Sequence, residues 1–529
     1  MSDPLATDFR ALGEVSDHHL QRFLAFTEWA GVCAQLARHT ESKAGRLAAQ
    51  AMTPSCEAAE VRALQDTTRE AQALLARDAC CEMRSLSDLV DLYARASEQG
   101  RPLSARELVG VAQTIRLGDR AAEAFASSPR LSALVAREAE VVSVQTELAD
   151  LIEASVGPYG QVLDTASELL GRLRSEIASQ RVSLDAELSQ LCQNGSLMLA
   201  LVQHRPVERE GTPCLLVKQG ELGRVPGPIV DRQPEGFYVH PDALAGSYNV
   251  LRDLLIAAEE EALRISDALS ARAMGLRVDL ERLAAGLIAA DLHQAMARYG
   301  QDAEGVLVEA SEDASLLLRG ALHPILARQG ECVPLDLELG SDSRLLMISG
   351  PNGGGKTAAM KTLGLTALLT QCGCPVPVQS GRLPVYRAFA CVAEARSSVG
   401  AGVSTFQAHA RDLAAALEGA RPGALVLLDE IGVGTDPGEA AALAQAFLEL
   451  LLERELRILA TTHLGPLKRF AQEEPRCQNA AVSLDGEGRP TFALLLGQSG
   501  RSYALEVVRQ AGLPDSLIQR AAELHRGEG

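Results

Sequence analysis

The chain has 529 residues, of which 47% are hydrophobic and only 3% aromatic, and its formal net charge is −19. Its length exceeds that of one ordinary domain and predicts roughly two to four domains. The negative charge argues against a protein that coats nucleic acid non-specifically, because phosphate contacts require lysine and arginine.

Targeting and redox signals point to the cytoplasm. The N-terminus has no basic region followed by an apolar core, and no apolar stretch approaches the ~20 residues that cross a bilayer. The 11 cysteines are scattered and form no C-x-x-C pair, which favours a reducing compartment. We therefore expect a soluble, cytoplasmic protein that has no membrane partner.

Residues 1–155 predict a helical core domain. Apolar side chains recur at helical spacing among glutamates and arginines, as at Leu86, Leu89 and Leu92. Prolines and glycines separate the helical segments. No pattern in this part indicates a catalytic or binding site.

Residues 156–300 predict two long helical arms with a β module between them. Apolar residues alternate by three and four in Leu163 to Leu191 and again in Ala262 to Leu287, which favours two helices packed antiparallel. Between them, about 205–243, prolines and glycines separate short β-like runs. This module has five basic and six acidic residues, which argues against tight, salt-driven phosphate binding.

Residues 301–529 predict an α/β domain that contains a phosphate-binding loop. The loop follows an apolar run, Leu345 to Ile348, precedes a good helix former, and fits G-x-x-x-x-G-K-[ST] at every fixed position. Lys356 would meet the β- and γ-phosphates, and the Thr357 hydroxyl would bind Mg²⁺. The residues that we expect to bind the nucleotide are Gly350, Pro351, Asn352, Gly353, Gly354, Gly355, Lys356 and Thr357.

Two further apolar strands end in polar residues that suit ATP hydrolysis. Ala424 to Leu428 ends in Asp429, which we expect to hold Mg²⁺, and Glu430, which would orient or deprotonate the attacking water. A strand from Arg457 ends in Thr461-Thr462-His463, and the imidazole would contact the γ-phosphate. The catalytic residues predicted in this way are Glu430, His463 and Lys356.

The order of these motifs resembles that of the MutS family of ABC-type ATPases. It is carried by Gly-Pro-Asn-x-Gly-Gly-Lys-Thr, Ser404-Thr405-Phe406, Leu-Asp-Glu, Gly-Thr-Asp-Pro and Thr-Thr-His, and is closest to the short lineage that lacks the mismatch-reading domain. The resemblance implies a multidomain protein with an all-α core, a long helical lever with a small β clamp tip, and an α/β ABC-type P-loop ATPase domain.

The resemblance also implies a homodimer. Each ATP would lie between the phosphate loop of one subunit and Ser404 of the other, with Asp436 at the same seam. Asp436 also suits a simpler role, because Asp436, Pro437 and Glu439 fit the start of a helix. Relatives continue into a C-terminal Smr nuclease-like domain, whereas this sequence stops at Gly529, so we expect no nuclease domain.

The function that the resemblance implies is ATP hydrolysis, with ATP and Mg²⁺ as cofactors, by a protein that clamps mismatched, branched or otherwise unusual DNA in repair or in control of recombination. Two alternatives stay open. One is an ATPase that engages the ribosome or RNA and acts on stalled complexes, and the other is an ATP-switched protein scaffold.

Overall fold

The computed structural model describes residues 18–209, 211–313, 315–330, 332–351, 353–392, 405–432, 436–485, 489–498, 514, 516–517 and 519–521. The α-helices in these ranges are α1 (His18–Phe26), α2 (Trp29–Ala37), α3 (Lys43–Gln50), α4 (Ala58–Leu75), α5 (Leu89–Glu98), α6 (Ala105–Ala124), α7 (Pro129–Leu134), α8 (Ala139–Ser155), α9 (Glu168–Cys192), α10 (Gly195–Met198), α11 (Ala245–Gly275), α12 (Arg277–Asp302), α13 (Lys356–Gln371), α14 (Thr405–Gly419), α15 (Pro437–Leu452) and α16 (Gly465–Glu473).

The β-strands in the same ranges are β1 (Val207–Arg209), β2 (Thr212–Lys218), β3 (Ile229–Gln233), β4 (Gly236–Val239), β5 (Glu309–Ser311), β6 (Leu316–Ala321), β7 (Leu335–Leu339), β8 (Leu345–Ser349), β9 (Ser380–Pro384), β10 (Ala388–Val392), β11 (Ala424–Leu428), β12 (Arg457–Thr462), β13 (Cys477–Leu484) and β14 (Pro490–Leu496).

The chain forms two compact units. The described residues of the first unit come from Met1–Arg84, Arg120–Ala136 and Ala285–Gly529, and those of the second from Ser85–Asp119 and Arg137–Ala284. The three-domain division at 1–155, 156–300 and 301–529 stays a prediction.

The first unit is built on a six-stranded sheet in the order β10-β11-β12-β8-β13-β14. The first five strands are parallel, and β14 is antiparallel to β13. Every residue of β8, β11 and β12 is buried, as expected of parallel strands that are covered on both faces. A four-stranded sheet, β5-β9-β6-β7, completes the β-structure described in this unit.

Alternate side chains of the central strands pack into two different apolar cores, one on each face of the sheet. Leu346 and Ile348 of β8 pack in the core that contains the buried face of α13, whereas Leu345 and Met347 pack in the core that contains α15 and α16. Successive side chains of a strand point to opposite faces, so helices lie on both faces and the functional loops extend from the strand ends.

The second unit contains two packed helices and a small antiparallel sheet. Ser167 Oγ, at the start of α9, donates to Glu261 Oε1 at 2.7 Å, and Ser247 Oγ, at the start of α11, donates to Glu187 Oε2 at 2.9 Å. Because the partner's number falls as the number along α9 rises, α9 and α11 are antiparallel. The chain between them forms the sheet β1-β2-β4-β3.

The second apolar stretch does not form one continuous helix. α11 ends at Gly275, and α12 begins at Arg277. Leu276 leaves the helical conformation with φ −102° and ψ 12°. Glycine lowers the stability of a helix at this point, which explains a break that the apolar spacing alone does not predict.

The coarse prediction of the fold is confirmed, because the chain is rich in helix and combines α-helices with β-sheets. The roles of lever and clamp stay predictions. Within the described ranges, no helix combines the length and the apolar character needed to cross a membrane.

Candidate nucleotide-binding site

Three neighbouring parallel strands bring the predicted motifs to one edge of the large sheet. β12 lies between β11 and β8 and pairs in parallel with both. The carboxyl ends of parallel strands meet at one edge, where ligands of open α/β sheets bind. The phosphate loop after β8, Asp429 and Glu430 after β11, and His463 after β12 therefore share this edge.

The phosphate loop leads directly into α13. Gly353 and Gly355 have left-handed φ values of 75° and 87°, which glycine adopts without the steric cost of a β-carbon. Gly355 is the residue before α13, and its carbonyl accepts from Ala359 N at 2.8 Å. The N–H groups at the start of α13 carry the positive end of the helix dipole, which makes this end favourable for an anion. Asn352 lies outside the described residues.

Lys356 is a buried cation at the start of α13. Its side chain is only 5% exposed, and Nζ donates to the carbonyl oxygens of Gly350 at 3.1 Å and Pro351 at 3.0 Å. Burial lowers the pKa of the Lys356 ammonium, while the charges of Glu430 and Asp429 raise it. The ammonium therefore lies inside the loop and close to the acidic pair.

Asp429 is held by two threonines from neighbouring elements. Thr357 Oγ1 donates to Oδ2 of Asp429 at 2.9 Å, and Thr461 Oγ1 donates to Oδ1 at 2.7 Å. The Asp429 side chain is buried. Both carboxylate oxygens thus have a fixed direction, and one of them is paired with the loop hydroxyl.

The chemistry of this pair fits Mg²⁺. A hydroxyl and a carboxylate supply hard oxygen atoms, and Mg²⁺ is usually bound by one or two carboxylates together with substrate phosphates. The residues that the structure describes contain no group of three or more His, Cys, Asp or Glu side chains that could hold a metal. An ion held by Thr357 and Asp429 would therefore take its other ligands from phosphate and water.

Glu430 and His463 lie at the same edge of the sheet, and Glu430 has an unusual backbone conformation. Glu430 has a left-handed φ of 50°, and its N–H donates to Thr461 Oγ1 at 2.7 Å. Such a conformation is strained for a residue other than glycine and is common at active sites. His463 is exposed directly after β12.

Asp436 has the simpler of its two predicted roles in the structure. Its Oδ1 accepts from Gly438 N at 2.9 Å and from Glu439 N at 3.3 Å, and it caps α15. Its position at a dimer seam stays a prediction. Ser404, the predicted residue in trans, lies outside the described residues.

Three residues near this site have no role that is predicted from the sequence. Thr461 bridges Asp429 and Glu430, and its only sequence signal is a hydroxyl at the end of a buried strand. Burial and the nearby Lys356 ammonium lower the pKa of Lys468 on α16. Phe492 on β14 lies against Gly355, and no local pattern predicts that contact.

Comparison with known proteins gives a consistent result. The family model of MutS domain V matches residues 346–527. Endonuclease MutS2 of Pelotomaculum thermopropionicum is 35% identical over 504 residues, which are 93% of this chain and 63% of that protein. Endonuclease MutS2 of Thermomicrobium roseum is 35% identical over 494 residues, 90% of this chain and 62% of that protein.

A third relative extends the same likeness. Endonuclease MutS2 of Geobacillus kaustophilus is 32% identical over 524 residues, which are 95% of this chain and 65% of that protein. The chain thus spans slightly less than two thirds of the length of these relatives.

Proposed function

The chain belongs to the MutS family, and from that premise we propose that it binds and hydrolyses ATP at the phosphate loop and uses the nucleotide to control its hold on DNA. The observation that best supports the ATP site is the hydrogen bond from Thr357 Oγ1 to Asp429 Oδ2 at 2.9 Å, which joins residues 72 positions apart. It pairs the two groups that the motif assigns to one metal ion.

The roles of the loop residues follow from their positions. Lys356 leaves the carbonyls of Gly350 and Pro351 and pairs with the β- and γ-phosphates, and the N–H groups at the start of α13 bind the same anion. Thr357 and Asp429 hold Mg²⁺, which neutralises phosphate charge when bound.

Glu430 activates the water that attacks the γ-phosphate. Its carboxylate orients this water and takes its proton, a role that requires the carboxylate to be fixed. The hydrogen bond from Glu430 N to Thr461 Oγ1 at 2.7 Å supports this assignment because it fixes the backbone at the carboxylate. His463 contacts the γ-phosphate.

The dimer is part of the same proposal. Two copies bind face to face, ATP lies between them, and Ser404 of the partner subunit completes each site. Substitution of Ser404 by arginine is expected to block turnover while each subunit still binds ATP. Undiminished hydrolysis in Ser404→Arg would remove the role in trans.

DNA is the proposed polymer because of family membership. The relatives carry the name endonuclease, and this chain spans 63% of the relative from P. thermopropionicum. A separate assay measures DNA cleavage by incubating the protein with labelled linear and branched DNA and Mg²⁺. Cleavage products that depend on the protein would add a nuclease activity to the proposed ATPase.

The ATPase proposal is tested by turnover and binding in two variants. Lys356→Ala removes the phosphate cation and is expected to abolish ATP binding. Glu430→Gln keeps the hydrogen-bonding capacity but not the base, so ATP still binds while turnover falls by about 100-fold or more. Phosphate release and calorimetry measure the two quantities, and turnover of wild-type magnitude in Glu430→Gln would contradict the assignment.

The polymer is tested with the ATP-bound Glu430→Gln protein. Fluorescence anisotropy compares a branched DNA with a linear duplex of equal length, and co-sedimentation measures ribosome binding. Preference for branched DNA supports the proposal. Binding to ribosomes alone would favour the ribosome-engaging alternative, and binding to neither would favour the protein scaffold.

A further inference from the structure

Arg22 of α1 forms an ion pair with Asp412 of α14. Its Nη2 donates to Asp412 Oδ1 at 2.6 Å, and the two residues are 390 positions apart in the sequence. Their side chains are 27% and 28% exposed. Burial raises the pKa of the Cys391 thiol on β10 to about 12, while the Arg22 charge lowers it and the Asp412 charge raises it. The ion pair therefore lies beside β10.

The end of α1 also packs against α13, the helix that follows the phosphate loop. A β-carbon built on Gly364 of α13 would lie 2.7 Å from Thr27 Cγ2 and 3.3 Å from Phe23 Cζ, so the two segments are in very close contact. Lys361 Nζ of α13 donates to Glu28 Oε1 at 2.6 Å. The same short segment of the chain thus contacts both α13 and α14.

These two helices carry groups that act on two different nucleotides in the proposed dimer. α13 begins at Lys356, and α14 begins at Thr405, the residue after Ser404. Lys356 acts on the ATP of its own subunit, whereas Ser404 acts on the ATP of the partner subunit. The position of α14 relative to α13 therefore affects how both sites are assembled.

Apolar packing holds α1 and α14 in the fold independently of the ion pair. Phe23 is fully buried in the core that contains the buried face of α13, and Leu413 and Ala416 of α14 are buried in the core on the other face of the sheet. An ion pair between partly exposed side chains adds little to global stability. We therefore expect this pair to affect the position of α14 more than the stability of the fold.

We propose that Arg22 is a positioning residue of the ATPase, which holds α14 in place relative to α13 through Asp412. This inference rests on the proposed ATP site and on the role of Ser404 in trans. A misplacement of about 1 Å by a change far from the reacting atoms can slow a reaction roughly 100-fold. Loss of the ion pair should therefore slow turnover while the phosphate loop still binds ATP.

Turnover and ATP binding are measured in a double-mutant cycle on the full-length protein. The variants are Arg22→Met, Asp412→Asn and their combination, each of which removes charge while it keeps a side chain of similar length. Arg62→Met is the matched control. Arg62 Nη2 on α4 donates to Glu312 Oε1 at 2.8 Å across 250 positions, so this pair also joins distant parts of the first unit but does not involve α14.

Both single variants are expected to lower kcat about fivefold, near the upper end of the contribution of a partly exposed ion pair. The combined variant should be no slower than either, because the pair is already broken. KM and the calorimetric Kd for ATP should stay within about twofold of the wild type, since the phosphate loop is unchanged. Arg62→Met should keep the wild-type kcat.

The stoichiometry of ATP binding separates positioning from a loss of folded protein. It comes from the same calorimetric titrations and is expected to equal that of the wild type in every variant. A stoichiometry that falls in proportion to kcat would make the ion pair a support of the fold and overturn the proposal.

Three further results would also overturn it. An unchanged kcat in Arg22→Met would remove the role, and an equal fall in Arg62→Met would make the effect non-specific. A combined variant that is slowed by the product of the two single effects would show that Arg22 and Asp412 act independently.

Failure of the proposed ATPase would give different results. A wild type without ATP turnover would reject the ATP site, and undiminished hydrolysis in Ser404→Arg would reject the role in trans. Neither result depends on a change at Arg22, so both are distinguishable from the failure of the ion pair.

Discussion

Thr461 connects the two acidic residues of the candidate site. Its hydroxyl donates to Asp429 Oδ1 and accepts from Glu430 N, both at 2.7 Å, and its side chain is fully buried. A single hydroxyl thus fixes the proposed metal ligand and the backbone of the proposed base. Because these bonds act on orientation, we expect Thr461 to affect turnover more than ATP affinity.

Replacing Thr461 by valine keeps its shape and removes both hydrogen bonds. Turnover is expected to fall by about tenfold or more, whereas the Kd for ATP changes by less than about threefold. Unpairing the partly buried Glu430 N–H also costs ~1 kcal/mol of stability. Steady-state phosphate release and calorimetry measure the first two effects, and unchanged turnover would contradict the positioning role.

Thr366 supplies the matched control for that substitution. It is fully buried on α13, and its hydroxyl has no hydrogen-bond partner among the described residues. Thr366→Val removes a hydroxyl without breaking a bond, so its stability is expected to equal or exceed that of the wild type. Turnover should stay at the wild-type value.

At the scale of elements, α6 begins with a capping box that depends on pH. Ser104 N donates to Glu107 Oε2 at 2.8 Å, and Glu107 N donates weakly to Ser104 Oγ at 3.4 Å. Arg101 forms two further bonds to the Glu107 carboxylate, at 2.7 and 2.8 Å. The Arg101 guanidinium lowers the pKa of Glu107 to about 2.

Because the pKa of Glu107 is lowered in the folded protein, the stability of α6 depends on pH. The folded pKa of Glu107 lies below its ordinary value of 4.5, so its stabilisation is complete above that value and is lost as the pH falls toward 2. At pH 6, Glu107→Gln is expected to lower the free energy of opening at the start of α6 by about 1 kcal/mol. Amide exchange there should be correspondingly faster.

Hydrogen exchange with mass spectrometry measures this effect in the full-length protein. The difference between wild type and Glu107→Gln is expected to shrink steadily below pH 4.5. A difference that stays constant down to pH 3 would show that the ionised carboxylate is not its source.

Two of the five basic residues of the β module in the second unit form ion pairs with neighbouring carboxylates. Arg209 pairs with Asp231 at 2.5 Å and lies 5.1 Å from the centroid of the Tyr238 ring. Arg224 pairs with Glu221 at 2.9 Å. Each phosphate contact with lysine or arginine releases counterions and makes DNA binding sensitive to salt.

Binding of branched DNA is therefore expected to depend weakly on salt. The slope of log K against log salt concentration should be shallower than about −3, and Asp231→Asn should steepen it by about 1 because it releases Arg209 for a phosphate. Anisotropy titrations over a series of salt concentrations measure the slope. A wild-type slope of about −6 would contradict this view of the β module.

The sequence predicts those features that a short, continuous segment of the chain determines. The phosphate loop and its helix follow from Gly355, Lys356 and the apolar strand before them. The bridge through Thr461 depends on strand order, and the contact of Phe492 with Gly355 depends on the pairing of β14 with β13 and its register shift. Both bring segments together that are distant in the sequence. The sequence does not predict the break at Leu276, because the apolar spacing continues across it.

The two units have separate tasks in the proposed function. The first unit contains the loop, the acidic pair and Phe492. The second contains the antiparallel helices and the β module, and its role in holding DNA stays a prediction. The net charge of −19 favours recognition of DNA shape over electrostatic attraction to phosphate.

Closure of two copies over ATP is tested by the mass of the Glu430→Gln protein in sedimentation velocity, with and without saturating ATP and Mg²⁺. We expect ATP to convert a species of 56.1 kDa into one of twice that mass, and Lys356→Ala to stay at the lower mass. A Glu430→Gln protein that binds ATP and stays at 56.1 kDa would contradict the claim that two copies close over the nucleotide.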